Sequence, residues 1–217
     1  MYVTGPRVGP ADPSVIKELE ALSPSTLGHF REEGFVSGLR PNLDRVKVVG
    51  SALTVQVAFG DSVTMHCALD DVRAGDVVVL DMLGDCVHAC WGGVVCFAAM
   101  QRGAVGAIVD GAITDVGQIR DMGFPVYFRS VSAVTGRLLG YGGSVGLPVT
   151  VGGVRVCPGD IVFGDENGVA IIPLSEASEL AARVAARESR EPSTIEKLQS
   201  GASLADLTGA RQLWDRH

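Results

Sequence analysis

Several things are missing from this chain, and each absence removes a class of function. No cluster of Lys and Arg offsets a formal net charge of −7, so the chain has no basic footprint for nucleic acid. The longest apolar runs, such as Val77–Leu80, are strand-sized and far short of the roughly 20 residues that cross a bilayer. The opening "MYVTGPRVGPADP" lacks a basic-then-apolar leader, so the expectation is a cytoplasmic protein with no membrane contact. Cys67, Cys86, Cys90, Cys96 and Cys157 are odd in number, which argues against a disulfide framework. Cys86-x-His88-x-Cys90 has no second pair to complete a structural zinc site, so these cysteines read as small buried residues lining a cavity. The 28 glycines are scattered rather than periodic, which removes collagen-like and low-complexity readings.

What is present is a large apolar fraction, 47% of 217 residues, enough for one compact domain spanning residues 1–217. Asp12 and Pro13 start a helix over 13–22. "RVKVVGSALTVQVAF" reads as one or two strands with Gly50 as a bend. "DSVTMHCALDDVRAGD" is helical, capped by Asp61 or Ser62, and "DVVVLDM" is a central strand. Gly92-Gly93 opens an apolar helix, Ala107–Val109 form a buried strand, and "DVGQIRDMGFPVYFR" repeats helix, glycine stop and strand. Such alternation with fully apolar strands implies parallel pairing buried on both faces. After Gly136 come short β-elements: a Gly-Gly hairpin, a Pro-Gly-Asp turn and "DENG". They fold back onto the early strands, and helices follow over about 175–200.

Two places could carry chemistry. The helix entry at Gly92 and Gly93 offers unpaired N–H groups without a Cβ in the way, which suits an anion; the same glycines also suit tight packing. Asp115 is either the cap of the next helix or a hard oxygen ligand for a Mg2+-like ion. Asp81, Asp85 and Asp110 also lie at strand ends, where ligands gather in open α/β sheets. His88 is either an acid or base or a packed side chain. Asp160, Asp165 and Glu166 belong to turns, where they serve backbone geometry.

The ordered motifs "AGDVVVLDMLGD", "WGG", "RGAVGAIVDGAITDV", "GFPVYFR" and "PGDIVFGDENGVAIIP" resemble the RraA-like family, from about Leu22 to beyond Leu204. That family includes 4-hydroxy-4-methyl-2-oxoglutarate/4-carboxy-4-hydroxy-2-oxoadipate aldolases and the regulator of ribonuclease activity A. The resemblance implies a layered α/β/β/α sandwich with a swivelling β/β/α core, assembled as a trimer or as a hexamer of two trimers. It also implies divalent-metal-dependent cleavage of a small 2-oxo acid through a pyruvate enolate, with Mg2+ or Mn2+ as cofactor. The aldolases carry an acidic residue, twenty others, then Arg-Asp. Here the Asp is Asp115, the implied metal ligand, but the Arg position is Thr114 and the acidic position is Gly93. The implied substrate-binding residues are Gly92, Gly93, Val94, Val95 and Thr114. Asp85 and His88 stand beside Asp115 as catalytic candidates that replace the missing polar groups. Losing a transition-state donor such as that Arg costs about 10²–10³ in rate. The expectation is therefore a divergent aldolase or decarboxylase, with a non-catalytic trimeric binding protein of the ribonuclease-regulator type as the alternative. A third family label, a methyltransferase, is disfavoured because no glycine-rich cofactor loop is present.

Overall fold

The structure is a computed structural model that describes residues 1–216. Along the chain, β1 (Tyr2–Thr4), α1 (Pro13–Glu20) and α2 (Pro24–Leu27) precede the short strands β2 (Phe35–Val36) and β3 (Arg40–Pro41). Then come β4 (Lys47–Val57), α3 (Val63–Ala68), β5 (Asp76–Asp81), α4 (Gly93–Gln101), β6 (Gly106–Ile113), α5 (Val116–Asp121) and β7 (Val126–Val131). The strands β8 (Gly143–Val145), β9 (Val149–Val151), β10 (Val154–Val156), β11 (Ile161–Asp165) and β12 (Gly168–Ile172) lead into α6 (Ala177–Glu188) and α7 (Glu191–Gln199). Two short helices close the chain, α8 (Leu204–Thr208) and α9 (Ala210–Trp214). Among the described residues, no helix is long and apolar enough to cross a membrane.

β4, β5, β6 and β7 run parallel, as their unbroken apolar runs require, while β11 joins β4 antiparallel and β12 joins β11 antiparallel. Three cores result, and β4 feeds all of them. Leu53, Val55 and Val57 pack beneath α3 to α5 with Met65, Trp91 and Ile119. Val49 joins Leu19, Phe163, Leu180 and Val184 under α1, α2 and α6. Val48 and Ala52 point the other way, into a middle core with Val79, Ile108, Tyr127 and the β9–β10 hairpin. Odd and even residues of one strand therefore separate the layers, and the expected mixed α/β sandwich follows from that alternation.

Gly50 does not bend β4, which runs unbroken through eleven residues. A Cβ there would collide with the Gly75 carbonyl and approach Val77 within 2.9 Å, so the glycine serves close approach between strands. The first helix ends at Glu20 rather than residue 22. Asp12 caps it as expected, accepting the Ser14 N–H at 2.8 Å. Gly152 and Gly153, at φ 53° and 82°, make the two-residue turn expected of a type I′ hairpin. The cysteines depart from expectation: Cys90 and Cys96 are buried, but Cys67 and Cys86 are exposed and Cys157 is half-buried. Two of them sit on short helices or loops whose polar faces meet water, so the apolar character of cysteine alone did not place them.

β6 slips register between Val109 and Ala112, and Gly111 lies in the bulge against Met82 and the Asp85 carbonyl. A methyl group there has to displace the β5–α4 loop. Gly111→Ala is therefore expected to cost about 1–3 kcal/mol, read as a lower urea midpoint with an unchanged slope.

Candidate functional site

Four extended segments lie edge to edge at the C-terminal ends of the parallel strands. Arg137 donates its N–H to Gly60 and accepts from Ser62; Gly136 donates to Ala89; Thr114 donates to Trp91. They floor a cleft of about 160 Å³, lined by Ser62, His66, Cys90, Val94, Val95, Thr114, Asp115 and Thr135 among others. This is the edge of an open α/β sheet where ligands collect.

The cleft's acid is Asp115, and its backbone is unusual. Its φ of 55° and ψ of 34° lie in the left-handed region, an uncommon state for a residue other than glycine and one that clusters at functional sites. The expectation that it caps α5 is not met, because its side chain makes no capping bond there. The left-handed turn swings the carboxylate across to the neighbouring helix instead, where Oδ2 accepts the Gly93 N–H at 3.0 Å. Oδ1 is left with the Thr114 hydroxyl at 3.4 Å. Gly92 permits this approach, since a Cβ there would stand 2.8 Å from the Thr114 methyl and 2.9 Å from Asp115 Oδ2.

At α4 the first intrahelical bond runs from the Cys96 N–H to the Gly92 carbonyl. With Gly93 committed to Asp115, the N–H groups of Val94 and Val95 remain for an external acceptor. Among the described residues, no Lys or Arg side chain lines the cleft, while Arg137 runs along its floor through its main chain.

The other strand-end carboxylates have structural partners. Asp81 accepts from Gln56 Nε2 at 3.0 Å and from the Leu83 N–H at 2.8 Å. Asp110 accepts the Gly152 N–H at 2.7 Å and pairs with Arg129. Asp85 is buried and accepts from the N–H groups of Gly60, Val87 and His88, and its Oδ2 lies 2.8 Å from His88 Nδ1. His88 packs edge-on against Phe59, with ring centroids 5.6 Å apart. Asp85 and His88 thus form a loop anchor outside the cleft lining, and the structure does not bring them to Asp115. Asp160 and Asp165 hold their turns, accepting the N–H groups of Cys157 and Asn167, and Glu166 follows Asp165 in the same turn.

Three residues of the site escaped the sequence reading. His66 reaches the rim from α3 and Ser62 lies below it; nothing in their local pattern distinguishes them from an ordinary amphipathic turn. Gln118 places its carboxamide where a side chain on Gly93 would go. Its spacing of three from Asp115 on one helix was the available hint. Cys90, also in the lining, is held above the ordinary thiol value chiefly by burial, against a lowering hydrogen bond from Ser62. It stays a thiol at neutral pH, neither nucleophile nor soft ligand.

A divalent cation can be weighed against these donors. Among the described residues, no three His, Cys, Asp or Glu side chains converge on one point. The oxygen donors near Asp115 are its own carboxylate, the Gln118 carboxamide and the Thr114 hydroxyl, and His66 adds an imidazole to the same lining. That set fits Mg2+ or Mn2+, which accept one or two carboxylates and retain waters.

Burial pushes the Asp85 carboxyl upward, but backbone hydrogen bonds from His88 and Val87 and the His88 side chain outweigh it, leaving it below the ordinary 3.8. A lowered folded value means its contribution is complete above the unfolded carboxylate value and is lost as pH falls through the folded one. Asp85→Asn should therefore cost about 1–3 kcal/mol at pH 7. The deficit, measured by urea unfolding at a series of pH values, should shrink below the ordinary carboxylate range.

The comparisons fit this geometry. The model of the RraA-like family, described as Aldolase/RraA, matches residues 22–171. A Halalkalibacterium halodurans protein provisionally named a 4-hydroxy-4-methyl-2-oxoglutarate aldolase is 38% identical over 137 residues, 63% of this chain and 65% of that protein. Protein DlpA of Legionella pneumophila is 29% identical over 79% of this chain but only 29% of its own length. The match thus spans under two thirds of the first relative and under a third of the second. The crystal structure of Streptomyces coelicolor RraAS2, described as an unusual member of the RNase ES inhibitor RraA protein family, superposes with a TM-score of 0.78 at 25% identity. That superposition covers 86% of this chain and 99% of RraAS2.

Proposed function

The chain belongs to the RraA-like family, and from that premise we propose that the α4–α5 cleft is the active site of a divergent, divalent-metal-dependent carbon–carbon lyase acting on a small 2-oxo acid. One observation carries the reading. An exposed carboxylate, Asp115, stands beside free main-chain donors in a cleft lined by no Lys or Arg side chain. An anionic substrate and Asp115 repel one another there unless a cation lies between them. Asp115 would hold Mg2+ or Mn2+, which would supply that charge and polarise the 2-oxo group. The relatives named as aldolases support the same class of reaction.

The chain's own groups divide the remaining work. The N–H groups of Val94 and Val95 hold the substrate carboxylate, aided by the positive end of α4. Thr114 offers one neutral hydrogen bond where an Arg would give a charged fork. Gly92 and Gly93 keep the backbone open to close approach. Cleaving the C3–C4 bond leaves the electron pair on C3 of the three-carbon fragment and releases the rest as a carbonyl compound, whose 4-hydroxyl proton passes to His66 in the cleft lining. His66 returns that proton to C3, which makes the fragment pyruvate; in a decarboxylation CO2 leaves instead and the proton comes from water. Val94 and Phe97 on α4, together with Val131, Val134 and Leu138, are large apolar side chains left exposed. They suit a homotrimer, or a hexamer of two trimers, in which a neighbouring protomer covers the cleft mouth.

The second reading, a non-catalytic binding protein of the ribonuclease-regulator type, is favoured by Thr114 and Gly93 and by the likeness to RraAS2. Titration with Mg2+ and Mn2+ decides between them, following pyruvate release from oxaloacetate and from a 4-hydroxy-2-oxo diacid. Metal-dependent turnover is expected, and Asp115→Ala should abolish it. No metal binding and no turnover would leave the binding protein. Thr114→Arg is expected to raise kcat, by up to about 10²-fold if the missing donor limits the rate.

A further inference from the structure

At the opposite end of the parallel strands lies a second cavity, of about 410 Å³. Ser51 pairs with Asp76 where the β4–β5 register begins, and the α4–α5 cleft lies beyond the far ends of the same strands. Five residues of strand, roughly 17 Å, therefore separate the two sites.

The roof of this cavity is the N-terminal arm, which is stitched down at three points. Gly5 donates its N–H to the Val145 carbonyl at 2.8 Å, and Ala11 donates to Ser51 Oγ at 3.1 Å. Between them the Arg7 guanidinium pairs with Asp76 through Nη2. Asp76 is otherwise satisfied by the Arg73 N–H at 2.7 Å, so its charge is spent within the wall. Arg7 Nε is different: it is buried and has no hydrogen-bond partner. That N–H is closed off within the roof, so the positive charge open to the cavity comes from elsewhere in its lining.

The remaining lining has two characters. Val8, Pro10, Pro13, Ile16 and Ala74 give an apolar wall, while Lys17 and Arg73 at the mouth face a single free acid, Glu20. On a chain of net charge −7, a pocket with surplus positive charge is set apart from its surroundings. Its volume lies within the ordinary range for small-molecule sites.

We propose that this cavity is a second ligand site, for a small organic acid with an apolar body. The carboxylate pairs with Lys17 and Arg73 at the mouth, beside the Arg7 guanidinium, and the body lies on Val8, Pro10 and Ile16. Occupation fastens the arm to the strand ends, because Arg7 and Val8 belong to the arm while Arg73 precedes β5. This site does not rest on the reading of the α4–α5 cleft.

The probe is 2-naphthoate, titrated calorimetrically into the full chain. One site per chain is expected. Its affinity should fall at least about tenfold in Lys17→Ser/Arg73→Ser, and likewise for uncharged 2-naphthalenemethanol. Both substituted residues are exposed, and an unchanged thermal melt of the ligand-free variant establishes that it folds. Asp115→Ala should bind the probe as the parent does, which separates this site from the cleft. No heat up to millimolar probe, equal affinity in the double variant, equal affinity for the alcohol, or loss of binding in Asp115→Ala would each overturn the assignment.

Discussion

Everything in the molecule leans on β4. A single eleven-residue strand contributes to all three cores, so its alternation has to satisfy helices on one side and a hairpin on the other. A slip of one residue would send Val48 and Ala52 under the helices and Val49 and Leu53 into the middle layer, undoing every layer at once. That demand explains Gly50, where only hydrogen fits against the Gly75 carbonyl. It also fixes where the parallel strands end, and so where the cleft and the second cavity lie.

At the cleft end, the chain spends most of its carboxylates on its own loops. Asp61 accepts from the N–H groups of Val63, Leu139 and Tyr141; Asp81, Asp85 and Asp110 do the same for their neighbours. Asp61 and Asp85 hold segments that floor the cleft, while Asp81 and Asp110 hold the loops behind it, leaving Asp115 as an acid that faces water there. The division is electrostatic in origin. Several unpaired carboxylates in a small site would raise one another's proton affinity, whereas each anchor here is neutralised by donors from the main chain.

The architecture was legible because it rests on periodicity and turn chemistry. The apolar runs at Val77–Leu80 and Ala107–Val109, the paired glycines at 152–153 and the cap at Asp12 are local signals, and the structure uses each locally. The helix entry at Gly92–Gly93 was legible for the same reason. Asp115 was placed at the right turn but given the wrong helix to cap, because a left-handed residue redirects its side chain in a way that spacing does not register. His66 and Ser62 were invisible, since what makes them part of the cleft is the packing of α3 against the strand ends, and Gln118 was signalled only by its spacing from Asp115. Asp85 and His88 were misread as cleft residues because adjacency along the chain stood in for adjacency in space.

The main-chain grip at α4 carries one more consequence. Amide N–H groups do not titrate, so the hold on a carboxylate that we propose for Val94 and Val95 does not depend on the protonation of the protein's own donors. It is equally indifferent to side-chain replacement at those positions, as long as the helix keeps its start. Substitutions at 93 and 114 can therefore retune charge and selectivity while docking of the acid group persists, giving the scaffold latitude to change its chemistry without first losing its hold on ligand.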